Sequence, residues 1–133
     1  MLKDAPLLNA TEIAMAIVWD EQADGSEWVA HFINLKNEVL ENVMITSRGY
    51  GERDGEKIYT STLRFFVEKM EPKSYYRIEL LTEELVPLSN EFWVSFFYNN
   101  QLQERKFVFL PHTIQSDNMV KVPIVEKKGV LIQ

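Results

Sequence analysis

Cysteine is absent from this 133-residue chain. That absence excludes a disulfide framework, a thiolate zinc site, an iron–sulfur cluster and a cysteine nucleophile together. Glycine and proline number five each, too few for a low-complexity or collagenous chain. Lys and Arg total 14 against 20 Asp and Glu, a net charge of −6, which argues against a protein that grips phosphate backbones, so nucleic acid is not an expected partner. Long hydrophobic runs are missing too. A membrane-spanning helix needs roughly 20 mostly apolar residues, and no window approaches that. Asp4, Pro6 and Asn9 interrupt the start where a secretory signal would need an unbroken apolar stretch. The longest uncharged run near the start is Ile13–Trp19, only seven residues. A cytoplasmic protein with no membrane contact is the expectation.

What is present suffices for a core. Apolar residues make up 46% and aromatics 12% of the chain, and a domain of this size buries roughly two-thirds of the surface its unfolded chain exposes. Charge is unevenly placed. Residues 1–30 hold Lys3 against Asp4, Glu12, Asp20, Glu21, Asp24 and Glu27, a balance of −5. Residues 47–77 carry seven basic and five acidic side chains, a balance of +2, and residues 101–133 also come to +2. Neither segment has the clustered basic stripe of a nucleic-acid surface.

Period-2 alternation recurs along the chain, and helical periodicity is scarce. Ile13, Met15, Ile17 and Trp19 alternate with the smaller Ala14, Ala16 and Val18. Trp28, Ala30 and Phe32 alternate with Val29, His31 and Ile33, after a polar turn over Asp20–Ser26. Val39–Ser47 is a third strand. Gly49–Gly55 is polar and glycine-rich, which predicts a long loop or an irregular hairpin. One strand over Ile58–Val67 follows, then a turn at Glu71-Pro72-Lys73-Ser74 and a strand over Tyr75–Leu81. Thr82–Asn90 fits a short helical turn limited by Pro87. Phe92–Tyr98 is apolar on both faces, so it should be central and covered on each side, or covered on one side by a partner. Asn99-Asn100 suits a tight hairpin into Leu102–Leu110. The pattern predicts an all-β fold: a single immunoglobulin-like antiparallel β-sandwich of about seven strands across residues 1–133, with residues 111–133 packing on it as a C-terminal extension. A small closed β-barrel is the alternative.

Catalytic and ligand-binding patterns are thin. His31 and His112 are the two histidines, and a structural hydrogen bond is the simplest role for each. Gly49-x-Gly51-x-x-x-Gly55 has one residue too many for a dinucleotide fingerprint and precedes a strand rather than a helix. Glu52, Asp54 and Glu56 would share a face of an extended ribbon, but the twelve-residue calcium loop is missing and Arg53 and Lys57 stand beside them. No catalytic residue, cofactor or metal is expected. Arg48, Arg53 and Arg64, with Tyr50 beside them, form a candidate rim of cations for an acidic partner or a small anion. Doubled aromatics, Phe65-Phe66, Tyr75-Tyr76 and Phe96-Phe97, put one ring on each face of a strand, while a sandwich buries only one face of each sheet. The extra rings need cover from a loop, from the C-terminal extension (the simplest arrangement) or from a second subunit.

The stretches Leu40–Tyr50, Thr60–Arg64, Asn90–Phe97 and Lys106–Phe109 resemble a family of small uncharacterised bacterial proteins found in the Bacteroidetes, a resemblance that spans most of residues 13–131. Some members of that family carry a phenylalanyl-tRNA synthetase label, which implies an accessory role linked to translation or aminoacylation. The residues carry no synthetase motif. A Phe-Arg-x-Glu element built on Arg64 needs Glu at position 66, where Phe66 stands, and a Gly-x-Gly-x-x-x-Arg element needs Arg at position 55, where Gly55 stands. The function expected is a non-enzymatic protein-interaction or scaffold domain that pairs with another protein or with itself as a homodimer, with the translation-linked role and a small-anion module as alternatives.

Overall fold

The computed structural model describes residues 8–22 and 25–133. The readings placed on Met1–Leu7, and on residues 23 and 24 of the first turn, lie outside these. In chain order the strands are β1 (Leu8–Asn9), β2 (Ile13–Gln22), β3 (Gly25–Asn34), β4 (Leu40–Arg53), β5 (Glu56–Tyr59) and β6 (Leu63–Met70). They continue with β7 (Ser74–Leu81), β8 (Ser89–Tyr98), β9 (Gln101–Phe109), β10 (Val120–Lys121) and β11 (Lys128–Ile132). The one helical element among the described residues is a single 3-10 turn at Ser116–Asn118.

The strands form two sheets that do not close into a barrel. Sheet A runs β1-β9-β8-β4, with β5 and β6 sharing the far edge of β4, and sheet B runs β10-β11-β2-β3-β7. All pairings are antiparallel except β1, which lies parallel to β9. The barrel alternative is therefore set aside. Among the described residues, seven strands have eight or more residues, and four short ones extend the edges.

Alternation decides which side chains meet between the sheets. Ile13, Met15 and Ile17 of β2 and Ala30 and Phe32 of β3 face Val43 and Ile45 of β4, Phe92, Val94 and Phe96 of β8, and Phe107 and Phe109 of β9. Phe92 and Phe109 meet edge to face at 6.0 Å. Each such buried ring contributes about 1.5–3 kcal/mol through lost contact with water. Where the chain leaves β3, Asn34 is fully buried. Its amide donates to the carbonyls of Glu38 and Glu71 and its carbonyl accepts from the Lys36 backbone N–H, tying the β3–β4 connection to the β6–β7 turn.

Three expectations change. Gly49–Gly55 is a regular hairpin instead of a long loop: β4 runs through Gly49 and Gly51, and the turn is Asp54-Gly55, both at positive φ. These glycines stand in β4 because another segment fills their places. A Cβ on Gly51 would lie 2.9 Å from Leu88 Cδ2, so the Leu85–Leu88 stretch crosses where side chains would otherwise project. The single strand expected over Ile58–Val67 is broken into β5 and β6 around Thr60, whose hydroxyl accepts from the Gly49 backbone N–H at 2.7 Å. Thr82–Leu88 makes two reverse turns, Leu85 N–H to Thr82 and Leu88 N–H to Leu85, and no helix.

Candidate functional site

The outer faces of the two sheets are treated differently. On sheet B, Ala14, Ala16 and Val18 of β2 and Ile33 of β3 are fully buried beneath Val122, with Ile124, Val125 and Leu131 packed around them. The small residues let the C-terminal segment lie close. Lys127 fastens it, its ammonium 2.7 Å from the Asp20 carboxylate. The C-terminal extension therefore covers sheet B. It does not cover the aromatic strand β8, as the simplest reading of the doubled aromatics expected, because β11 pairs with β2.

The outer face of sheet A is open. Trp93 and Phe97 of β8 are 43% and 42% exposed, Met44 of β4 is 45% exposed and Phe66 of β6 is 57% exposed. Pairing sets them side by side. Met44 stands opposite Phe66 on one flank and Ser95 on the other, Thr46 lies between Arg64 and Trp93, and Phe97 faces Leu102 of β9. β8 is thus central, as expected, but none of the described residues covers its second face. The Trp93 indole N–H donates to Glu104 at 3.0 Å, and the Lys106 ammonium sits 5.8 Å from the centre of its ring. By strand pairing and alternation the same face carries Arg48, Lys57, Arg64, Lys69 and Lys106 against Glu41, Glu52, Glu68, Glu91 and Glu104. Its charge is balanced although the chain carries −6.

The four rim residues are only partly gathered. Arg48 and Tyr50 share the outer face of β4, Arg64 is on the same face of β6, and Arg53 falls on the opposite face at the hairpin end. Arg48 is not a bare cation. Its Nε donates to Glu91 at 3.0 Å, and the Tyr50 hydroxyl donates to the other oxygen of that carboxylate at 3.3 Å. The guanidinium also lies 5.5 Å from the Tyr50 ring. Loss of hydration and the adjacent Glu91 carboxylate push the Tyr50 phenol above its ordinary value, against a smaller opposing pull from Arg48. Glu91 is itself buried, so this cluster pins β4 to β8 and leaves Arg64 as the rim cation facing outward beside the aromatic rows.

Other chemistry-bearing residues take structural positions. His31 is buried on the outer side of β3, its Nδ1–H bonded to the Val29 carbonyl at 3.0 Å and its ring 5.4 Å from that of Tyr75. Burial holds its pKa below the ordinary value. His112 is exposed in the turn after β9. The hairpin places Glu52 on β4, Asp54 in the turn and Glu56 on β5, so they do not share one extended face. Among the described residues no cluster of three or more His, Asp or Glu is arranged to hold a metal ion, and no helix is long and apolar enough to cross a membrane.

Sequence reasoning missed Glu91 as the partner of Arg48, and Leu102, Glu104 and Lys106 as part of the open face. The alternation Leu102, Glu104, Lys106, Val108 was the available signal: one apolar end, then charges of both signs, on the side of β9 away from Phe107 and Phe109. The chain matches no family model, no curated protein and no solved structure.

Proposed function

We propose that this chain is a non-catalytic pairing module: the outer face of sheet A docks on the same face of a second copy. One observation carries the reading. The C-terminal segment covers the outer face of sheet B, whereas among the described residues Met44, Phe66, Trp93 and Phe97 stay exposed on sheet A, Met44 paired with Phe66 and Trp93 and Phe97 on either side of Ser95. Aromatic and methionine side chains are the types enriched at the centres of protein interfaces. A second copy is favoured as the occupant by charge. Two chains of −6 repel overall, and this face, with five cations against five carboxylates, is a patch where two copies meet without net repulsion. The strand order supports an immunoglobulin-like arrangement as part of the same proposal, with β9-β8-β4-β6 packed on β2-β3-β7. A cytoplasmic setting also belongs to it.

Phe97→Glu tests the face. It places an unpaired charge at the proposed contact and leaves the core untouched, so the variant stays folded by circular dichroism and elutes as a monomer while the parent chain elutes as a dimer in light-scattering chromatography. A dimer that survives Phe97→Glu and Trp93→Glu together contradicts the proposed face. Binding of a different protein in place of the second copy, abolished by the same substitutions, would replace the occupant. The non-catalytic part has its own test. The purified chain gives no phenylalanine-dependent exchange of pyrophosphate into ATP, and clear exchange overturns it.

A further inference from the structure

At one end of the sandwich, away from the open face of sheet A, Trp19 of β2 and Trp28 of β3 pair across the strands with ring centres 4.8 Å apart and planes at 63°. They border a cavity of about 350 Å³ whose other walls are Ser26, Glu27, Leu80, Leu81, Thr82, Glu83, Val86 and Pro87. We infer that this corner binds a small organic ammonium ion, such as a trimethylammonium group.

Three features converge on that chemistry. The volume lies within the range of small-molecule pockets, which run from about 300 to 1,000 Å³. Two indoles at 63° form a corner, which fits a compact round group better than a flat sugar ring needing a single broad platform, and the electron-rich faces of indoles attract cations strongly. The charge lining the cavity has one sign. Among the described residues Glu27 and Glu83 are there and no Lys or Arg is. Arg77 approaches Glu27 at 3.7 Å from outside the cavity, which leaves Glu83, in the exposed turn after β7, as the carboxylate best able to answer an incoming cation.

The chain has three tryptophans, and Trp93 sits on the outer face of sheet A, so the three indole N–H signals in a proton–nitrogen spectrum contain their own control. Titration of the full chain with choline chloride at constant ionic strength is expected to move the Trp19 and Trp28 signals and leave Trp93 in place. The neutral isostere 3,3-dimethylbutan-1-ol should bind at least about fivefold more weakly, since it fills the space without the cation–aromatic attraction. Glu83→Gln, an exposed change that spares the fold, should weaken choline several-fold, and Trp19→Leu should abolish the response of Trp28. A short peptide bearing trimethyllysine distinguishes the source. Tighter binding than choline assigns the site to a modified side chain, and equal or weaker binding assigns it to a free small ion. No movement of either signal, or equal affinity for choline and its neutral isostere, overturns the inference.

Discussion

Trp93 donates its indole N–H to the carboxylate of Glu104 across β8 and β9, at 3.0 Å, on the open face of sheet A. The bond holds a large exposed ring in one orientation before any partner arrives. In an interface, ordering a side chain on binding costs about 0.5–1.5 kcal/mol, so a ring already held binds tighter. Glu104→Ala should leave folding stability within about 0.5 kcal/mol of the parent, as surface changes usually do. The dimer dissociation constant should rise roughly three- to tenfold. Sedimentation equilibrium on parent and variant measures the second quantity and urea denaturation the first.

Gly129 of β11 stands tight against the backbone of β2. A Cβ there would lie 2.6 Å from the Ile17 carbonyl oxygen and 2.9 Å from Val18 Cα, both backbone atoms that no rotamer can move aside. Gly129→Ala should therefore destabilise the fold by about 1–3 kcal/mol, the usual cost of forcing volume into a packed site. Because β11 and the Val122 cover depend on that approach, early proteolytic cuts should move to the segment after β9. Unchanged stability and an unchanged cutting pattern would refute this account of how sheet B is covered.

Two titrating groups pull the pH dependence of stability in opposite directions. The His31 pKa is lowered from 6.5, first by burial and then by Arg77 and Lys127, against the Val29 hydrogen bond and Asp20. The folded chain then binds fewer protons at His31 than the unfolded chain does. Stability is full above 6.5 and falls as pH drops from there toward the lower folded value. Glu79 lies in the cleft between β7 and β4, where burial raises its pKa from 4.5 against a hydrogen bond from Ser47. The folded chain therefore binds more protons at Glu79, and stability falls as pH rises from 4.5 through the raised folded value. His31→Gln should flatten the loss of melting temperature between about pH 7 and pH 5, the range around the ordinary histidine value. Glu79→Gln should gain on the parent as pH rises above 4.5. Melting curves for either variant that run parallel to the parent's would contradict its assignment.

Much of the fold was readable from spacing alone. Alternation in Ile13–Trp19 and the apolar run Phe92–Tyr98 identified strands of which Ile13, Met15, Ile17, Phe92, Val94 and Phe96 do enter the core, and Asn99-Asn100 is the predicted tight turn, with both residues at positive φ. The glycines of β4 misled because their reason lies in a distant segment: Leu88 fills the space at Gly51. The destination of the C-terminal segment was half visible, since Ala14, Ala16 and Val18 make a face of small residues that suits a closely packed cover. What covers it is a matter of tertiary pairing between β2 and β11. The rim of Arg48, Tyr50, Arg53 and Arg64 was read in sequence order, whereas its electrostatics depend on Glu91, brought beside Arg48 by the register of β4 against β8. One residue of parity also separates Arg53 from Arg48 and Tyr50.

The central claim is that the open face of sheet A is where two copies meet. Sedimentation velocity of the untagged chain across a concentration series from sub-micromolar to about 100 micromolar (the span in which a pairing of moderate affinity resolves) tests it most directly. The account predicts a reversible shift from the 15.6 kDa chain to a species of twice that mass, lost in Phe97→Glu. A single species of 15.6 kDa at every concentration would contradict it.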